Sequence, residues 1–535
     1  MNLENALVNP YSRRVPMIGA RGAVCTSQPL GAAAGLEVLR LGGNAVDAAI
    51  ATAITLTVVE PTSNGIGGDA FALVWDGAKL HGLNASGRAP QGLSVDLLHA
   101  RGHAQMPRLG WLPVTVPGAP AAWRDLHARF GRLEFQRLFD AAIFYARHGF
   151  AVTPTLAQNW ARATSSYKAL NAPEFNAWRE TFTVNGRAPR VGEIMRLPDH
   201  ARTLESIAAT NAAAFYDGIL AQQLEDFAAQ TGGVITAADL RAHRSDWVTP
   251  ISTNYRGVDV WEIPPNGQGI AGLTALNILE GFDMAAHPRD SADGLHLQLE
   301  AMKLGFSDAL AFVADPTRSD VPIRGLLDKD YANDRRVLIG DRARQPSAGQ
   351  PPRGGTVYLC TADSDGMMVS FIQSNYAGFG SGIVVPGTGI ALQNRGANFT
   401  LEAGHPNQLE PGKRPYHTII PGFLTKDAKA IGPFGVMGGF MQPQGHLQVV
   451  VNTVDYRMNP QAALDAPRWQ WLEGMQIELE PEFDPQIAAD LERRGHDVSV
   501  QPDAGSFGRG QIIWRDGDAL IAASEARTDG QALVY

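Results

Sequence analysis

The sequence predicts a mixed fold of helices and strands, and three stretches carry that prediction. Residues 31–41 set apolar side chains at helical spacing and stop at Gly42-Gly43. The glycine-rich loop 62–69 leads into an apolar strand over 70–75. Residues 356–362 and 367–374 run apolar on either side of Asp363-Ser364-Asp365-Gly366, a strong hairpin signal.

Asn44, with Asp47 three residues on, reads as the N-cap of a second helix over 45–58, which Glu60-Pro61 ends. That helix is apolar nearly all round and belongs in the interior. Further helices are expected at 121–130, 136–148, 200–210, 218–230, 269–281 and 292–313. Residues 342–355 contain three Pro, three Gly and three Arg with almost nothing to bury, so they read as an exposed linker ending at Thr356. Asp363-Ser364-Asp365-Gly366 also resembles the start of a calcium loop, but the later ligands are missing and a turn is the expectation. An apolar helix over 447–454 opens at His446, read as a capping or surface histidine, while Met437 and Met441 read as packing residues.

With 44% hydrophobic residues in a chain of 535, there is ample material for a large core, and length alone permits one big unit or several domains. A formal charge of −9 argues against a nucleic-acid or anionic-membrane partner. The apolar stretch 45–59 is too short, and too interrupted by Asp47 and threonines, to span a bilayer. Residues 1–14 lack a basic segment followed by an apolar one, so no secretory signal is read there. Cys25 and Cys360 have no CxxC or zinc spacing and are expected to be small buried hydrophobes in a reducing compartment. A cytoplasmic location follows as an expectation, with no cofactor and no metal.

No Gly-x-Ser-x-Gly elbow, His-Glu-x-x-His pair or complete nucleotide-binding glycine pattern is present. Gly354-Gly355-Thr356 suggests other chemistry. Cleavage between Gly355 and Thr356 would give one residue both a nucleophilic hydroxyl and an α-amine to act as its base. Two glycines ahead of a strand are also an ordinary loop, so the tripeptide alone does not decide.

From about Ala23 to the C-terminus the sequence resembles the γ-glutamyltransferases of the N-terminal-nucleophile hydrolase superfamily. The matching blocks are Gly42-Gly43-Asn44-Ala45-Val46-Asp47-Ala48-Ala49, Glu60-Pro61 with Gly65-Ile66-Gly67-Gly68, Ile263-Pro264-Pro265, Gly380-Ser381-Gly382, Lys413-Arg414-Pro415 and Met437-Gly438-Gly439. The resemblance implies an α+β fold, a four-layer αββα sandwich, assembled from one precursor that cuts itself before Thr356. A large subunit, 1–355, and a small one, 356–535, would stay together, and the resemblance permits a homodimer of the processed pair.

The same resemblance implies Thr356 as nucleophile and Ser374 as the hydroxyl beside its amine. It implies Gly438 and Gly439 as oxyanion-hole donors and Arg88 as a clamp on a substrate carboxylate. The acidic residue that pairs with a substrate α-amine is replaced by Asn398, a neighbouring Gln by Arg395, and an Asn by Tyr376. A Ser-Ser pair becomes His417-Thr418. These departures imply a pocket for a carboxylate rather than for an α-amino acid, since a substrate ammonium near Arg395 would lack its charged partner. Residues 400–412 are shorter than the lid many members carry, which favours water as the acyl acceptor.

The expected activity is hydrolysis of a small amide near a carboxylate. The candidates are oxamate, a glutaryl amide of the cephalosporin-acylase kind, or a γ-glutamyl amide such as glutathione. The competing expectation is a non-cleaving, non-enzymatic homologue.

Overall fold

The computed structural model describes residues 5–346 and 356–535. Two seven-stranded sheets form its centre. In the first, the strand order is Gln531–Val534, Gly22–Thr26, Val357–Asp363, Met368–Ser374, Asp69–Trp75, Leu80–Asn84 and Asp246–Val248. In the second it is Met17–Gly19, Ala519–Ser524, Arg509–Asp516, Lys429–Met437, Gly422–Lys426, Val258–Glu262 and Ile251–Tyr255. Every pairing within both sheets is antiparallel.

Three separate apolar cores show how the layers stack. One lies between the first sheet and helices Pro29–Arg40 and Ala45–Val59. A second lies between the second sheet and helices Gly269–Leu279, Ala292–Phe312 and Met441–Val454. The third fills the space between the sheets, with Phe71, Tyr358, Cys360, Ile372, Phe423 and Ile513 among its members. The result is the expected αββα sandwich.

This stacking explains why the central hairpin reads as continuously apolar. Val357–Asp363 and Met368–Ser374 are buried at all their positions, because one face meets helices and the other meets a sheet. Val357 and Leu359 enter the helix-side core, while Tyr358, Cys360 and Ala362 enter the core between the sheets. Cys25 and Cys360 are buried and stand opposite each other on adjacent strands. No helix among the described residues is long and apolar enough to cross a membrane.

The helices come out close to their expected positions. Asn44 and Asp47 form a reciprocal capping box, and all of Ala45–Val59 is buried. The segment expected at 136–148 divides into a 3₁₀ turn, Phe135–Phe139, and an α-helix, Asp140–His148. Pro154–Tyr167 is a helix that went unread in the sequence. Residues 342–346 are largely exposed, as a linker should be, and the rest of that segment lies outside the described residues.

Asp47 does more than cap its own helix. Its carboxylate also accepts from the amides of Arg132 and Leu133, tying a distant loop to the helix start. Replacing Asp47 with Ala strands three amide donors, so it should destabilise the protein by about 2–4 kcal/mol. An earlier urea midpoint would show this, with a smaller shift for Asp47→Asn.

Candidate active site

Strand periodicity decides where the two expected hydroxyls point. Thr356 is in step with Tyr358, and Ser374 with Ile372, so both side chains enter the space between the sheets. Both are fully buried, and Thr356 Oγ1 lies 3.1 Å from Ser374 Oγ. The Tyr376 amide donates to Ser374 Oγ at 2.7 Å. Gly355, the other half of the expected cut, lies outside the described residues.

The facing strand, Lys429–Met437, runs across this hairpin toward the Thr356 end. A Cβ on Gly432 would meet Met368 at 2.9 Å, and one on Gly435 would meet Tyr358 at 2.5 Å, which fixes the direction. Beyond Met437 the chain turns through Gly438 and Gly439, at φ of 138° and 65°, into the helix Met441–Val454. Those dihedrals suit glycine and leave the two amides off the strand ladder. Neither amide has an acceptor among the described residues. Gln268 Nε2 holds the turn by donating to Gly439 O at 2.8 Å and to Thr418 O at 2.7 Å.

Beside the two hydroxyls sits a buried charged network. His417 Nε2 lies 2.9 Å from Asp69 Oδ2, and the Ile419 amide donates to His417 Nδ1 at 3.3 Å. That pattern puts the proton on Nε2, donating to Asp69. Asp69 Oδ1 accepts from Gln393 Nε2 at 2.7 Å and from the Gly87 amide at 3.1 Å. Burial pushes the Asp69 carboxyl up to about 7, against the pull of Arg395 and these donors. Burial also draws the Arg395 guanidinium down to about 10, with Asp69 opposing it. His417 is held well below its ordinary value by burial, then by Arg395 and Arg414, and is neutral.

Arg395 is only partly satisfied. Its Nη1 donates to Thr418 Oγ1 at 2.6 Å and its guanidinium lies 4.5 Å from the centre of the Tyr376 ring. Among the described residues, Nε and Nη2, though buried, have no partner, and the same is true of Tyr376 Oη and Asn398 Oδ1. Tyr376 adopts φ of 76°, a conformation that costs a bulky residue about 1–3 kcal/mol and that clusters at functional sites. Buried polar atoms left open in this way call for a ligand or ordered water.

Thr356, Ser374, Tyr376, Arg395, Asn398, His417, Thr418, Gly438 and Gly439 are thus linked through one region. Asn398 joins it through Nδ2, which donates to Tyr416 O at 3.0 Å. Arg88 follows Gly87, whose amide donates to Asp69, and its Nη1 donates to Asp315 Oδ2 at 2.9 Å and to Gly412 O at 3.2 Å.

Sequence reading passed over Asp69 and Gln393. The available signal for Asp69 was a carboxylate closing a glycine-rich loop at the start of an apolar strand. The glycines let that loop come close: a Cβ on Gly68 would lie 2.6 Å from Ser374 O. His446 corrects the reading of its helix, which begins five residues earlier at Met441. The imidazole is buried against Glu262, with Nδ1 at 2.6 Å from Oε1. Met437 and Met441 are buried packing residues.

Among the described residues one trio, His296, Glu300 and His496, could hold a metal ion. Its atoms are already used. Lys303 Nζ lies 2.7 Å from Glu300 Oε1 and 3.4 Å from His496 Nδ1, His496 Nε2 lies 2.9 Å from His296 Nδ1, and His296 Nε2 lies 2.8 Å from Gly340 O. Lys303, His496, His296 and Gly340 therefore form one run of donors and acceptors that needs no ion.

Among the described residues, a cleft beside the glycine turn meets a larger one at Phe440 and Leu472. The larger, about 1460 Å³, is lined by Asn398, Thr400, Tyr416 and Phe440 among others. The smaller, about 510 Å³, has Gly438, Ala377 and Arg509 on its walls.

The family model described as gamma-glutamyltranspeptidase matches residues 31–535. The glutathione hydrolase-like YwrD proenzyme of Bacillus subtilis (strain 168) is 35% identical over 97% of this chain and 99% of its own. The oxamate amidohydrolase proenzyme of Klebsiella pneumoniae is 34% identical, covering 97% and 99%. The crystal structure of cephalosporin acylase from Bacillus halodurans superimposes with a TM-score of 0.95 at 55% identity, covering 99% of this chain and 98% of that one. The chain belongs to the gamma-glutamyltranspeptidase family of N-terminal-nucleophile hydrolases, and it is an enzyme of that amidohydrolase and acyl-transferase kind.

Proposed function

We propose that the precursor cuts itself between Gly355 and Thr356, and that the freed Thr356 hydrolyses an amide whose acyl group carries a carboxylate bound by Arg395. The observation that carries this reading is the pairing of the Thr356 and Ser374 hydroxyls at the buried end of the hairpin, beside a guanidinium with two open donors. In the cut, Thr356 Oγ attacks the Gly355 carbonyl, the peptide C–N bond breaks, and water hydrolyses the resulting ester. This leaves subunits 1–355 and 356–535.

In turnover, the Thr356 α-amine accepts the hydroxyl proton as Oγ bonds to the substrate carbonyl carbon. An ordinary α-amine, with a pKa of about 7.7–8.0, suits that task near neutrality. The carbonyl oxygen gains negative charge between the Gly438 and Gly439 amides, and one such donor is worth about 2.7–4 kcal/mol to a transition state. The C–N bond then breaks, and the leaving amine takes the proton back from the α-ammonium. Water repeats the sequence on the acyl ester, releasing the acid and restoring Thr356.

Arg395, rather than Arg88, is the carboxylate anchor in this reading, because Arg88 is already paired with Asp315. Asp69 does not offer itself to a substrate ammonium, since both its oxygens accept hydrogen bonds from the protein. An acyl group without an α-amine is therefore favoured, oxamate and glutaryl amides being the test cases. The wide cleft beside Asn398 and Thr400 supports water as acceptor. A cytoplasmic location is part of the proposal and rests on the two-cysteine composition.

On a denaturing gel the purified protein should show two bands, near the masses of 1–355 and 356–535. Thr356→Ala should remain one 57.3 kDa chain without activity. A wild type that stays uncut would overturn the proposal. Oxamate or glutaryl amides should outpace γ-glutamyl amides, and Arg395→Gln should lower kcat/KM on them by roughly ten- to a hundredfold, the worth of one charged hydrogen bond. Faster release from γ-glutamyl amides would remove the case for Arg395.

The same network predicts a pH response. At pH 8 the ionised Asp69 offsets Arg395, whereas below about 7 Asp69 gains a proton and leaves Arg395 the uncompensated charge. A competitive dicarboxylate such as glutarate should therefore bind more tightly at pH 6 than at pH 8. Asp69→Asn should remove that part of the dependence, leaving only the part due to the Thr356 amine.

A further inference from the structure

The smaller cleft has a feature the acyl-binding network does not use. Arg509 follows Gly508 into the strand Arg509–Asp516, whose first residue is paired with Met437, the residue before Gly438. Its half-buried guanidinium lines the cavity and, among the described residues, makes no hydrogen bond or ion pair. Four charged groups are near enough to act on it electrostatically: Glu60, Glu525, Asp529 and Arg162.

Each of the four has a hydrogen-bond partner other than Arg509. Glu60 accepts from Ser27 Oγ. Glu525 accepts from Arg468 Nη2 and Arg527 Nη1, both at 2.7 Å, and from the Gly510 amide at 2.9 Å. Asp529 accepts from Thr153 Oγ1 and from the amides of Thr155 and Leu156. Arg162 donates to Asp503 at the cavity mouth. Arg509 thus lines the cavity without a direct hydrogen-bond or ion-pair partner among the described residues, next to the turn that is to hold the oxyanion.

The direction of this space matters. Asp69, Arg395, His417 and Thr418 are absent from its walls, while Gly438 and Ala377 form part of them. A carbonyl held at Gly438 with its acyl group toward Arg395 therefore presents its other substituent, the nitrogen, to this side. A volume of about 510 Å³ accommodates a group of amino-acid size.

We propose that this cavity receives the leaving amine and that Arg509 binds a carboxylate carried by that amine. The substrate class is then an N-acyl amino acid, or a similar amine bearing an acid, with one carboxylate at each end. This rests on the reading of Thr356 and Arg395 given above.

Wild-type enzyme assayed on N-glutarylglycine and N-glutarylglycinamide should prefer the free acid in kcat/KM by about tenfold or more, as expected of a charge-assisted contact. Arg509→Gln should bring the ratio between the two substrates close to one, and Arg509→Lys should keep part of it. Equal wild-type rates would overturn the subsite, as would a ratio that survives Arg509→Gln while both rates fall together, the signature of a purely structural arginine. Failure of both compounds to turn over, in a protein that cuts itself and loses that cut in Thr356→Ala, leaves the reading of Thr356 standing. Calorimetric binding of the same pair then decides the subsite: tighter binding of the acid, lost in Arg509→Gln, supports it, and equal binding refutes it.

Discussion

Two neighbouring strands covered on both faces have no neutral side on which to place a polar group. Val357–Asp363 and Met368–Ser374 lie between a helical layer and a second sheet, so any hydroxyl on them must be paired within the protein. Tyr358 and Ser370 answer that need by hydrogen bonding to each other at 2.8 Å between the sheets. Thr356 and Ser374 answer it in the same way at the buried end of the hairpin, where the facing strand gives out at Gly438. The candidate nucleophile is thus held by the packing of the whole sandwich.

A second constraint follows from burying charge. Asp69, Arg395 and His417 are all fully buried, and isolated ions in such a place would be very costly. Asp69 is tolerated because a backbone amide, an amide side chain and an imidazole all donate to it. Arg395 is tolerated through Asp69, Thr418 and the Tyr376 ring, yet two of its donors stay open. A guanidinium held in place but incompletely hydrogen-bonded is prepared for a planar anion, since its geometry is fixed before the anion arrives. Arg509, across the glycine turn, lines a cavity without such partners among the described residues.

Much of this was legible in the chain. The capping box at Asn44 and Asp47, the hairpin turn at Asp363–Gly366 and the glycine pair at 438–439 all depend on residues within a few positions of one another. Local chemistry of that sort leaves a local trace. Asp69 left a weaker one, because nothing near it in sequence shows that Gln393 and His417, more than 300 residues away, come to its oxygens. His446 was misread for a related reason. Its neighbours look like a helix start, but Met441 to Gly445 are helical too, and Glu262 arrives from a different strand.

By itself the sequence determined the alternation of helices and buried strands, the order of the family blocks, and the place of Thr356 at the head of the central hairpin. These rest on periodicity, turn chemistry and spacing, which are properties of short segments. Only the tertiary structure decided which charges meet. It gave Arg88 to Asp315, set Arg395 beside Asp69 with donors to spare, and left Arg509 facing a cavity. The physical reason is that a buried ion takes whatever partner the packing of distant strands and loops brings within reach, and no local pattern encodes that meeting.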